Sequence, residues 1–145
     1  MLKRHEDWQT RLHTHITECS RTPFEWGKHD CALFVADAIL AHTGVDVAAD
    51  FRGKYSDEKG AMATIAKVTG GKTVEDAAVY AANKHGLKEL PSVLFAQRGD
   101  MVIFDGAEGP AVGIVCLNGR EALFVGPAGL RKVKVAKCRR AWRIG

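Results

Sequence analysis

Long apolar runs are missing from this sequence. No stretch of its 145 residues approaches the roughly 18 consecutive apolar residues that a membrane-spanning helix needs. The first residues, MLKRHEDWQTRLHTH, are polar and lack the apolar centre of a secretory signal, so the chain is expected to be made in the cytoplasm. Cysteine is sparse: Cys19, Cys31, Cys116 and Cys138 stand far apart and read as free thiols rather than a disulfide framework. Neither C-x-x-C nor H-x-x-x-H occurs, so the usual zinc spacings are absent and no metal or cofactor is expected. A four-thiolate metal or iron–sulfur site gathered from distant positions stays as an alternative that spacing does not support. Histidine is missing after His85, and acids are missing from the last 15 residues.

What is present fits a globular chain. Apolar residues make up 46% and charged residues 26%, and the length suffices to bury a core without staples. One domain over residues 1–145 is expected, with a helical front at 1–86 and an antiparallel sheet at 87–145. Helices followed by a run of short strands point to an α+β fold. Charge is unevenly spread. Residues 1–130 carry 14 positive and 17 negative groups, whereas the last 15 carry seven cations, Arg131, Lys132, Lys134, Lys137, Arg139, Arg140 and Arg143. Such a block could meet an acidic surface, or it could be a solvated strand face, since Lys132 and Lys134 alternate with Val133 and Val135. Nucleic acid is not expected, because no aromatic residues interleave with these cations as stacking platforms.

Trp8, Leu12, Ile16 and Cys19 share one face at helical spacing and predict a first helix that makes Cys19 a core thiol. A loop, Pro23-Phe24-Glu25-Trp26-Gly27-Lys28-His29, follows; Phe24 and Trp26 read as anchors to the core or as cleft-lining residues. Asp30 is placed to cap a second helix from Cys31 to about His42, with Gly44 closing it. That helix is apolar on every side except at Asp37, so it is expected to be central and buried. Asp37 is expected to satisfy nearby donors, with catalysis as the lesser alternative. Ser56 and Thr73 are read as caps of two shorter helices, ended by Gly70-Gly71 and Gly86. Strands are predicted at Met101–Phe104, Ala111–Leu117, Glu121–Val125, Leu130–Val135 and Arg139–Ile144. Asp105-Gly106 and Asn118-Gly119 are read as turns within the resulting meander.

Cys31 is the chemically sharpest position. At the first turn of a helix, free amides and the helix dipole favour a thiolate, which is one requirement for a cysteine nucleophile. The other is a base, normally a histidine from another element. Trp26 and Asp30 are the expected substrate-binding neighbours, and His29 is the nearest candidate base.

These residues resemble the NlpC-type cell-wall peptidases, a papain-like superfamily with its cysteine at the start of a core helix packed on a small antiparallel sheet. Phe24-Glu25-Trp26-Gly27-Lys28-His29-Asp30-Cys31 is similar to the family's aromatic-glycine loop and Asp-Cys step. Arg98-Gly99-Asp100-Met101-Val102-Ile103-Phe104 is similar to its Pro-Gly-Asp-Leu-Val-Phe-Phe strand, and Ala111-Val112-Gly113-Ile114-Val115 to its His-Val-Gly-Ile-Tyr strand. Ala141-Trp142-Arg143-Ile144 resembles its final strand, so the likeness spans roughly residues 24–145. The resemblance implies a papain-like fold with Cys31 as nucleophile or as its vestige. It also implies that the family's histidine is replaced by Ala111.

The Trp-Gly-x-x-Asp-Cys opening and the Gly126-Pro127-Ala128-Gly129-Leu130 turn resemble a branch of small NlpC-like proteins of tailed bacteriophages and prophages. That resemblance implies a structural or assembly component of a tail tip or baseplate. Its partners would be other tail proteins and its place the virion tail, with peptidoglycan as a further partner. The enzymatic alternative is a thiol hydrolase acting on peptidoglycan during phage entry.

Overall fold

The computed structural model of the chain describes residues 2–145, and its helices begin and end where local chemistry dictates. The first, α1, runs Trp8–Cys19 and buries Leu12 and Cys19. The second, α2, runs Cys31–Thr43. Asp30 caps it, its carboxylate accepting the Leu33 amide at 2.9 Å, and Gly44 closes it in the left-handed conformation. Leu33, Phe34, Ala38 and Ile39 are fully buried, as expected of a helix apolar on every side. Asp37 escapes the core: it is half-buried and pairs with Arg52 at 2.7 Å.

Helices α3 (Glu58–Thr69) and α4 (Val74–Lys84) follow. The cap of α3 is Asp57 rather than Ser56, because the Asp57 carboxylate, at 2.6 Å, takes the Gly60 amide. Thr73 caps α4 as expected, in a reciprocal box with Asp76.

The back half forms β1 (Lys88–Glu89), β2 (Met101–Gly106), β3 (Gly109–Val115), β4 (Glu121–Gly126), β5 (Gly129–Lys134) and β6 (Arg140–Arg143). They make one antiparallel sheet in the order β1-β6-β2-β3-β4-β5. The predicted meander holds for β2 to β5, but β6 returns to lie between β1 and β2. Asp105 and Gly106 belong to β2, pairing with Pro110 and Gly109, so the first turn is Ala107-Glu108. Nor is Asn118-Gly119 a two-residue hairpin: Val115 pairs with Ala122, and the Asn118 carboxamide accepts the amides of Arg120 and Glu121 across a longer loop.

Alternation along the strands sorts the side chains into two layers. Met101, Ile103, Val112, Ile114, Leu123 and Val125 face α2. Val102, Val115, Ala122, Phe124, Val133 and Ala141 face the other way, beneath Leu90, Val93, Val135 and Cys138. Both faces of the sheet are therefore covered.

Two polar clusters tie the ends of the chain to this frame. Asp100, fully buried before β2, accepts Arg4 at 3.1 Å and Arg143 at 2.9 Å, together with the amides of Gln97 and Ile144 at 2.8 and 3.0 Å. On the surface, Glu75 of α4 pairs with Arg139 and Arg140, which also reach Asp105 and Glu89. Three of the seven C-terminal cations thus meet acids of their own chain.

Candidate functional site

Cys31 opens α2 with its thiol half-buried, and it lines an apolar cavity of about 90 Å³ with Trp26, Asp30, Tyr55, Met101 and Val112. Phe51 from the turn after α2, Ile65 of α3 and Ala77 of α4 complete the walls. The cavity is smaller than the roughly 150 Å³ void that accommodates benzene in a protein core. Trp26 and Asp30, read from the sequence as substrate-binding, line the same cavity as Cys31.

Asp30 has its oxygens engaged, however. One accepts the capping amide of Leu33; the other accepts the Gly27 amide at 2.9 Å and the Tyr55 hydroxyl at 2.7 Å. The phenol of Tyr55 is pushed up by its burial and by this bond to a carboxylate. Gly27 is required in this arrangement. Its φ is +84°, and a Cβ there would stand 2.2 Å from the Tyr55 carbonyl oxygen. The aromatic-glycine-to-aspartate step therefore builds a clamp in which Asp30, Gly27 and Tyr55 pin the loop over the start of α2. Phe24 and Trp26 meet edge to face at 5.0 Å on the same loop, and Phe24 packs on the core. Tyr55 was not singled out from the sequence. Its partner lies 25 positions away, and only its place before the Asp57 cap hints at an ordered turn.

The electrostatics of Cys31 run opposite to the expectation. Amides at the helix start do pull the thiol down, but burial in the apolar cavity and the adjacent Asp30 carboxylate outweigh them and push it up to about 11. Burial dominates because a thiolate here would be desolvated by the same walls that close the cavity. At pH 7 only about one thiol in ten thousand is then ionised. Cys19 and Cys138 are also pushed up to about 11 by burial.

No imidazole lines the cavity. His29, the candidate base, is buried with its ring edge-on to Phe34, the centroids 6.3 Å apart, and its backbone bridges to Glu25. No hydrogen bond joins it to Cys31 among the described residues. His42, at the far end of α2, donates from Nδ1 to the Ala38 carbonyl at 2.6 Å. His85 caps the end of α4. The histidine that does meet a thiol is His15, whose ring nitrogens lie 3.5 and 3.6 Å from Cys19 on α1.

The strand that the resemblance expects to carry a base adds a second finding. Ala111 packs with Phe104 on the layer away from α2, whereas Val112 is the β3 residue that reaches the cavity. Neither can accept a proton. Among the described residues no three His, Cys, Asp or Glu side chains gather into a metal-ligand set, so the thiolate-cluster alternative has no geometry behind it. Among the described residues no helix is long and apolar enough to cross a membrane.

This fold, helices packed on an antiparallel sheet, has a solved counterpart. The crystal structure of the NlpC/p60 domain of peptidoglycan hydrolase SagA superposes with a TM-score of 0.54 at 19% identity, over 93% of this chain and 97% of that one. At that identity the likeness establishes the papain-like NlpC/p60 fold and nothing finer. No curated protein sequence matches the chain. Over residues 3–144 it matches one family, and the chain belongs to that family, described as a domain of unknown function, DUF6950.

Proposed function

We propose that this chain is a non-catalytic protein on the NlpC/p60 fold, serving as a structural or assembly component of a tailed-bacteriophage or prophage tail tip or baseplate. The observation that carries the non-catalytic half is the lining of the Cys31 cavity, which is apolar and includes no imidazole; burial in it pushes the thiol up, toward its protonated form. Cysteine hydrolysis needs a base to take the thiol proton and later to protonate the leaving amine, and loss of that acid–base partner costs about 10²–10⁴ in rate. The other nearby polar groups are committed, since Asp30 and Tyr55 bond to each other. The tail context rests on sequence resemblance, from Trp26 to Cys31 and at the Gly126–Leu130 turn. Partners would then be other tail proteins, and the protein would reside in the virion tail.

A second reading has one observation in its favour: Cys31 stands at a helix start beside a cavity, on the fold of a peptidoglycan hydrolase domain. On it, Cys31 would cut peptide or amide bonds of peptidoglycan, with His29 moving to serve as base.

One substitution separates the two. Cys31→Ala is expected to leave assembly of tail particles and infectivity at wild-type levels, with the protein detected in purified particles by mass spectrometry. Purified protein is expected to release no peptidoglycan fragments. Release of fragments that Cys31→Ala abolishes would overturn the non-catalytic role, and absence from purified particles would overturn the tail location.

A further inference from the structure

The four C-terminal cations without acidic partners lie at one edge of the sheet, on β5 and just after it: Arg131 shares the Val133 face, while Lys132 and Lys134 alternate onto the other. Among the described residues, Arg131, Lys132, Lys134 and Lys137 make no ion pair, and neither does Arg120, whose carbonyl accepts the Val135 amide at the end of β5. Arg131 leans over the Phe104 ring, 6.0 Å from its centroid, leaving Lys132 and Lys134 as the free charges of β5. β5 is the outermost strand of the sheet, so one side of its backbone is unpaired. At its Lys134 end opens a groove of about 590 Å³, lined by Val93, Leu94, Ala96, Arg120, Lys134 and Val135. Leu94 is 77% exposed and its neighbour Phe95 is 59% exposed, the two most exposed large apolar side chains of the described residues. The one acid in the groove, Glu121, accepts a bond from Asn118 at 2.9 Å.

We propose that the free edge of β5 and this groove form a docking surface for an extended, acidic protein segment bearing an aliphatic or aromatic side chain. The segment adds as a strand to β5, sets its carboxylates against Lys132, Lys134 and Arg120, and inserts its apolar side chain beside Leu94 and Phe95. Three features select this occupant. Lysines along an open edge repel a second copy of the same edge but attract an acidic strand. Protection of the edge explains the lysines but leaves Leu94 and Phe95 in water, whereas an apolar anchor covers them. The groove lined by Val93, Ala96 and Val135 suits a side chain rather than a phosphate, which distinguishes a protein segment from nucleic acid or an anionic membrane. The surface makes no use of Cys31, so it stands or falls apart from the non-catalytic role.

The test is selection from an mRNA-displayed library of random linear peptides on the full-length protein. Enriched peptides are expected to carry Asp or Glu around a Leu, Phe or similar residue, and their binding should weaken with added salt. The pair Lys132→Glu with Lys134→Glu, and separately the pair Leu94→Ser with Phe95→Ser, should each weaken binding about tenfold or more. All four positions are exposed, so thermal melts of these variants should match wild type. The distant pair Lys67→Glu with Lys72→Glu should leave binding unchanged. No enrichment above background would overturn the proposal, as would enriched peptides indifferent to both variant pairs. Single-stranded DNA or phosphatidylglycerol vesicles binding through Lys132 and Lys134, with no acidic peptide enriched, would also overturn it.

Discussion

Asp100→Ala is expected to lower unfolding free energy by about 3–5 kcal/mol, the range for removing one partner of a buried charge cluster. The Asp100 side chain has no exposure, and it holds Arg4 from the N-terminal segment, Arg143 of β6 and the Ile144 amide at once. Without it, two guanidiniums are left facing each other, and the buried amide of Ile144 has lost its acceptor. Because small proteins are stable by only about 5–15 kcal/mol, this single change would consume a large part of the total. Urea denaturation followed by circular dichroism measures it. The companion variant Arg4→Met, Asp100→Leu, Arg143→Met, which removes all three charges, should recover part of the loss. A shift below about 1 kcal/mol for Asp100→Ala would show that the cluster does not hold the chain ends.

The same node shows what sequence patterning could and could not yield. The Gly99-Asp100 step was recognisable as a motif, but a motif does not say what the carboxylate touches. Its partners lie 96 and 43 positions away, so the insertion of β6 between β1 and β2 was invisible to local spacing. Helix α2 was legible because its signals are local: an Asp30 cap, an uninterrupted apolar run and Gly44. Strands β2 to β5 were legible from their apolar runs and turns. The facing of β3 was not, because a sheet covered on both sides is apolar at successive positions and alternation loses its contrast. Thus Ala111 and Val112 look alike in sequence, while only Val112 reaches the cavity. Cys31 was correctly located for the same local reasons as its helix. Its protonation was misjudged because the helix start is local and the desolvating walls, from Phe51, Ile65, Ala77 and Val112, are assembled by tertiary packing.

His42 carries the second large expected effect. It is fully buried, stacks obliquely on Trp8 at 5.9 Å, and turns Nε2 toward Gly99, where no group among the described residues meets hydrogen-bond geometry. Burial, reinforced by the Arg4 cation, drives its pKa down to about 4, although the Ala38 carbonyl pulls the other way. The depressed folded value means that the unfolded chain binds the proton more readily than the folded one. The stability contributed by neutral His42 is therefore complete above about pH 6.5, and it falls as pH drops toward 4. Integrated over that window, the loss is about 3 kcal/mol. Urea titrations at pH 7 and pH 4 should show wild type losing about that much more than His42→Leu, whatever the variant's absolute stability. Equal losses in the two proteins would rule out His42 as the source.

The proposal that the Cys31 cavity is non-catalytic is tested most directly by the pH dependence of Cys31 alkylation. The rate with iodoacetamide should be followed site by site by mass spectrometry under native conditions. A thiol desolvated by the apolar cavity walls beside Asp30, with no imidazole to ionise it, predicts a rate at pH 7 roughly a hundredfold below that of an unperturbed cysteine and a midpoint near 11. A midpoint at or below about 7, with Cys31 modified well before Cys19, Cys116 and Cys138, would contradict it and restore Cys31 as a working nucleophile.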